Sequence, residues 1–145
     1  MRAVHEYLGI AVLVANALAA AWGGVAWWRR SPSVAFWPIL RTAQVITAVE
    51  VITGIVELAA RHKPPDSLHY VYGIAPLVVS LAAEAMRVNA THVELQTVED
   101  PDALERRERV LLARRIVIRE MAIMSLGSIL IVTLALRAAQ SGGLF

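Results

Sequence analysis

Apolar residues come in four long runs along this chain, separated by three polar breaks. The first, Tyr7 to Trp28, contains no charged residue, and a helix of that length crosses the ~30 Å hydrocarbon core of a bilayer. The others run from Phe36 to Ala60, Leu68 to Met86 and Ile116 to Leu136. A secretory signal is the competing reading of the first run. The run is long for such a segment and ends in Trp27, Trp28, Arg29 and Arg30 with no small-residue cleavage site, which is the border of a membrane span. The pattern predicts transmembrane helices over about 6–28, 36–60, 68–86 and 116–136.

Within each run the polar and small residues recur at helical spacing. The second run places Gln44, Thr47, Glu50, Gly54, Glu57 and Arg61 on one stripe. The first offers His5, Gly9, Asn16 and Gly23; the third His69, Gly73, Pro76, Ser80 and Glu84; the fourth Glu120, Met124 and Gly127. A membrane bundle turns such lines away from lipid. The first two breaks are short, around Ser31-Pro32-Ser33 and His62 to Ser67, and short connections make sequential helices antiparallel neighbours. The expected fold is therefore all-α: an integral membrane, up-down four-helix bundle forming one domain over 1–145. The third break, 87–115, is polar yet helical in pattern, with Asp100 as expected N-cap and Pro101 at the first helical position. It is read as a helical hairpin extending helices three and four beyond the membrane. Its mixed charges suit a solvated face or a surface for a redox or assembly partner.

Composition agrees: 57% of residues are hydrophobic and the mean hydropathy is +0.56, outside the range of an ordinary soluble domain. The first and third breaks and their flanks hold Arg29, Arg30, Arg41, Arg87, Arg106, Arg107, Arg109, Arg114, Arg115 and Arg119, against Arg2, Arg61, Lys63 and Arg137 on the other side. That asymmetry places the breaks at 29–35 and 87–115 in the cytoplasm and both termini outside, in a membrane such as the bacterial cytoplasmic membrane. The net charge of +2 then reflects topology rather than nucleic-acid binding. The absence of cysteine excludes disulfides and thiolate metal sites.

Two segments repeat. "HEYLGIA" begins at His5 and "HYVYGIA" at His69. Each histidine opens the outer end of its helix, so the two lie at one depth, and the first and third helices of an up-down bundle are diagonal. His5 and His69 then face one another across the bundle axis. Haem iron takes axial imidazoles from both faces of the porphyrin. Gly9 and Gly73, one turn inward on the same face, would let a flat edge approach the backbone. Tyr7, Tyr70 and Tyr72 flank this layer or belong to the interfacial belt, and Arg2, Arg61 and Lys63 stand where propionates would emerge.

From His5 to His69 the chain resembles one four-helix half of heme A synthase and, more loosely, the b-type cytochrome membrane bundles. An outer histidine opens one helix, a Gln- and Gly-containing helix returns in "AQVITAVEVITGIVE", and a proline-bearing outer loop leads to a second histidine in "KPPDSLHYVYG". The resemblance covers about half the chain and implies haem b with His5 and His69 as ligands. The catalytic family has two such bundles, an acidic residue a turn before the histidine where this chain has Glu6 just after it, and in many members an outer cysteine pair absent here. Haem binding is thus what the resemblance carries, and not synthase activity.

Glu50, Glu57 and Glu84 lie within spans, where carboxylates are costly. Counting turns puts Glu57 closest to the histidine layer, Glu50 near the middle, and Glu84 and Glu120 toward the cytoplasmic end, within reach of Arg87 and Arg119. Arg pairing is the reading for Glu84 and Glu120; for Glu50 and Glu57 a proton relay and a neutral network both stand. His5, Glu57, His62 and His69 form an alternative non-haem set for Zn, Cu or Fe. No phosphate loop and no nucleophile paired with a base is present. The expected function is a small membrane haem protein for electron transfer or haem handling. The alternatives are the His/Glu metal protein and a cofactor-free accessory or assembly subunit; a homo-oligomer is compatible with all three.

Overall fold

The structure, a computed structural model, describes residues 2–60, 67–101 and 103–141. Among these it is all-α, with helices α1 (Arg2–Trp28), α2 (Phe36–Ala59), α3 (Leu68–Leu95) and α4 (Arg106–Ser141). All four are long and apolar enough to cross a membrane. The outward line of α1 is consistent with lipid as its solvent: Val4, Tyr7, Ile10, Val14, Leu18, Trp22 and Val25 are all exposed, a large-apolar stripe of a kind that soluble monomers rarely present to water.

Two ends of helices are set by recognisable chemistry. α1 stops in a Schellman motif: Arg30 N–H donates to the Trp27 carbonyl at 2.9 Å and Ser31 N–H to the Ala26 carbonyl at 2.9 Å. The left-handed position is filled by Arg30 at φ 50 rather than by glycine. At the other long connection the expected helix start is displaced. Asp100 Oδ1 accepts the Ala103 N–H at 3.3 Å, so Asp100 organises a turn. Helical hydrogen bonding begins later, with Arg109 N–H donating to the Glu105 carbonyl at 3.0 Å, and α4 starts at Arg106. Asp and Pro favour local turns as strongly as helix starts, and here the chain has to reverse direction between α3 and α4.

α1 packs against α2 and α4, and α3 against α4, whereas α2 and α3 touch only slightly. The core gathers Ala19, Phe36, Leu40, Ala43, Ala83, Met121 and Met124. In α2 the buried line is Phe36, Leu40, Ala43, Thr47 and Val51, so the polar stripe read from the sequence shares Thr47 with the core seam and otherwise flanks it. Small residues set the helix separations. A Cβ on Gly23 would overlap the Phe36 ring and the Ser125 hydroxyl, and one on Gly127 would lie 3.0 Å from the Ala83 Cβ. Asn16 is buried and joins α1 to α2, donating to Thr47 Oγ1 at 3.1 Å and to the Val12 carbonyl at 2.9 Å, while Thr47 Oγ1 donates to the Ala43 carbonyl at 2.8 Å.

Candidate functional site

His5 stands on the first turn of α1 and His69 on the first turn of α3. Their ring centroids are 6.0 Å apart with planes at 79°. The structure thus brings the two repeated histidines together. The same layer receives the second half of α2 and the last turn of α4. Glu50 Oε1 lies 3.0 Å from His5 Nδ1, close enough for an ion pair but angled away from a directed hydrogen bond. His69 Nδ1 lies 3.0 Å from the Ala138 carbonyl. A carbonyl only accepts, so Nδ1 carries a proton here, and in the neutral ring Nε2 then holds the lone pair.

The acid in contact with His5 is Glu50, and Glu57 lies within electrostatic reach of the same ring. Turn counting along separate helices neglects the axial offset between them, and here α2 is shifted so that Glu50 and Gly54 stand beside His5. A Cβ on Gly54 would sit 3.3 Å from His5 Cε1, so the missing side chain makes room for the imidazole. Glu50 Oε2 and Glu57 Oε1 are buried without a hydrogen-bond partner among the described residues. The two glycines singled out by the repeat differ. The Cβ position of Gly9 faces Glu50 Oε1 at 3.5 Å, whereas that of Gly73 has nothing within 4 Å. Arg61 and His62 lie outside the described residues. Arg137 stands over the Tyr72 ring at 6.0 Å, and Tyr70 lines a shallow apolar groove on α3 with Val71, Ile74 and Val78.

The chemistry open to this layer follows from its donor set. Two imidazoles binding one metal ion from opposite sides, each at about 2 Å, hold their ring centroids roughly 6 Å apart. The observed separation is 6.0 Å, in an edge-to-face arrangement. An imidazole that binds metal through one nitrogen commonly directs the other at a carboxylate or carbonyl, which fixes the ring; the Ala138 carbonyl stands so at His69, while Glu50 lies beside His5 Nδ1 without a directed hydrogen bond. Among the described residues no group of three or more His, Asp or Glu side chains could hold a metal ion. His62, the further histidine of the alternative metal set, lies outside those residues. Glu50 and Gly54 were visible in the sequence as members of the α2 stripe, though not as neighbours of His5. The Ala138 carbonyl carries no side-chain signal at all.

At the other end Glu84, Arg41, Arg87 and Glu120 form one network. Glu84 pairs with Arg41 and, at 2.9 Å, with Arg87, and accepts from Gln44 at 2.8 Å. Glu120 takes Arg87 at 3.4 Å and the Thr91 hydroxyl at 2.7 Å. Arg pairing of Glu84 and Glu120 is thus observed, but through Arg41 and Arg87. Arg119, the expected partner of Glu120, instead meets Glu94 at 2.8 Å, because successive residues on α4 project to different faces. Arg87 also lies over the Trp37 ring at 5.6 Å. With its charges matched, this network braces α2, α3 and α4 and offers no separate site. Comparison of the chain with protein-family models, curated proteins and solved structures finds no match.

Proposed function

We propose that the protein is a small integral membrane haem-binding protein serving electron transfer or haem handling, with His5 and His69 as the axial ligands. The observation that carries this reading is the matched pair: two imidazoles at 6.0 Å, each with Nδ1 at an acceptor. Bound haem supplies one-electron chemistry at its iron. The chain's own residues bind and orient. His5 and His69 would present Nε2 from α1 and α3. The Ala138 carbonyl would hold the His69 ring, Glu50 would supply negative charge beside His5 Nδ1, and Gly54 leaves space for His5. Arg137, on Tyr72, is the described cation of this end and a candidate partner for propionates, with Arg61 as the second. The open position at Gly73 is compatible with a flat group reaching the α3 backbone.

In this reading the helices run up and down with both termini outside, in a bacterial cytoplasmic membrane. α3 beyond Arg87 and α4 before Ile116 then form a cytoplasmic hairpin where a redox or assembly partner would dock. The arginine distribution and the helical continuity of α3 and α4 support this arrangement. Reporter fusions after residue 97 should read cytoplasmic and those at the C-terminus external; the reverse pattern would refute the orientation.

Visible absorption tests the cofactor. Protein produced with ample haem should show a low-spin Soret band. His5→Ala and His69→Ala should each abolish it or turn it high-spin, while His92→Ala leaves it unchanged and His62→Ala changes it little. A colourless protein that takes up no added haem would refute the haem reading and favour a cofactor-free accessory subunit. Bound Zn, Cu or Fe that depends on His62 and Glu57 as well would favour the non-haem metal site.

A further inference from the structure

Away from the histidine layer, one hydrogen bond brings together two distant segments that each carry a pair of arginines. Arg114 Nη2 donates to the Arg30 carbonyl at 2.9 Å across 84 residues of chain. This bond joins the Arg29–Arg30 turn after α1 to the Arg114–Arg115 step of α4. All four residues are exposed. Glu84 and Glu120 pair with Arg41 and Arg87, and Glu94 pairs with Arg119. No ion pair among the described residues includes Arg29, Arg30, Arg114 or Arg115.

Two further observations give this patch a ligand class. First, it adjoins the aromatic end of an apolar span. Trp22, Trp27 and Trp28 are exposed on the last two turns of α1, and Trp22 Nε1 donates to Ser33 Oγ at 2.9 Å, fixing one indole against the same turn. Indoles prefer the depth where acyl chains give way to headgroups. Second, Arg30 occupies the left-handed position of the Schellman motif. Glycine is the low-cost residue there, so a side chain is carried at a backbone cost. Strain retained at one residue points to a use for that residue.

We propose that Arg29, Arg30, Arg114 and Arg115 form a binding site for the phosphate headgroup of an acidic phospholipid. Guanidinium groups offer planar, paired N–H donors that match phosphate oxygens. The exposed indoles would lie along the glycerol and upper acyl region of the same lipid. An acidic headgroup brings a net negative charge to arginines that no ion pair among the described residues engages, whereas a zwitterionic one brings its own ammonium into the patch. The site is independent of whether the histidine layer holds haem.

The test uses the full chain in detergent micelles, with lipid retention read by native mass spectrometry as phosphatidylglycerol or phosphatidylcholine is titrated. The wild type should hold phosphatidylglycerol preferentially. Arg29→Gln with Arg30→Gln should weaken it by about 25-fold, at about fivefold per arginine near an anionic surface. Arg114→Gln with Arg115→Gln should do the same. The charge-matched pair Arg106→Gln with Arg107→Gln should change it less than about twofold. The replaced side chains are exposed, and unchanged helical circular dichroism will show that the fold survives. Equal retention of the two lipids would overturn the proposal. So would equal losses in all three double variants, which would signal net charge rather than a site, or displacement of the lipid by millimolar inorganic phosphate, which would signal a site for a free anion.

Discussion

Replacing each of four glycines by alanine adds the same methyl group to four different surroundings. At Gly23 the new Cβ would overlap the Phe36 ring and the Ser125 hydroxyl. Neither neighbour can yield: Phe36 is 0% and Ser125 1% exposed, and Ser125 Oγ is tied to the Met121 carbonyl at 2.7 Å. The helices must then separate, and overpacking of this kind costs about 1–3 kcal/mol. The next residue, Gly24, has nothing within 4 Å of its Cβ position, so Gly24→Ala should stay within about 0.5 kcal/mol of wild type. Gly54→Ala is intermediate. Its Cβ meets His5 Cε1 at 3.3 Å, and His5 is partly exposed and can shift a few tenths of an ångström, for a cost of about 0.5–1 kcal/mol. Gly73→Ala, facing open space, should match Gly24→Ala. Helix propensity drops out of the comparison because membrane spans stay helical when the bundle dissociates. Sodium dodecyl sulfate titration in mixed micelles, followed by fluorescence of the chain's four tryptophans, measures the order directly. If Gly24→Ala destabilised as much as Gly23→Ala, the close approach of α1 to α2 and α4 would be wrong.

Asn16→Ala removes the clasp to Thr47 from a fully buried position and should lower stability by about 1–2 kcal/mol in the same titration; a neutral result would show that α1 and α2 do not meet there. Thr47→Ala should cost less, since Asn16 keeps its contact with the Val12 carbonyl. Arg30→Gly should raise stability by about 1 kcal/mol, because glycine holds the left-handed conformation without penalty; a loss would mean that the Arg30 side chain contributes more than its backbone costs.

Much of this molecule is legible in its sequence. The four spans follow from hydropathy alone, because a bilayer of fixed thickness demands an uninterrupted apolar run and each run is a local property of the chain. The inward residues Asn16, Thr47, Ser80 and Ser128 are buried as polar residues in a membrane helix must be. The two repeated histidines, matched in their distance from the start of their helices, do meet. What the sequence alone left undecided were relations between helices. Periodicity names the face a residue occupies but not the axial shift or rotation of the neighbour it meets. Only the packed bundle set Glu50 against His5 Nδ1, Gly54 beside the His5 ring, Glu94 against Arg119, and a backbone carbonyl at Ala138 against His69. Those choices depend on the close approach permitted by Gly23 and Gly127 and on the volumes of Phe36, Met121 and Met124. They become determined only when all four helices are packed at once.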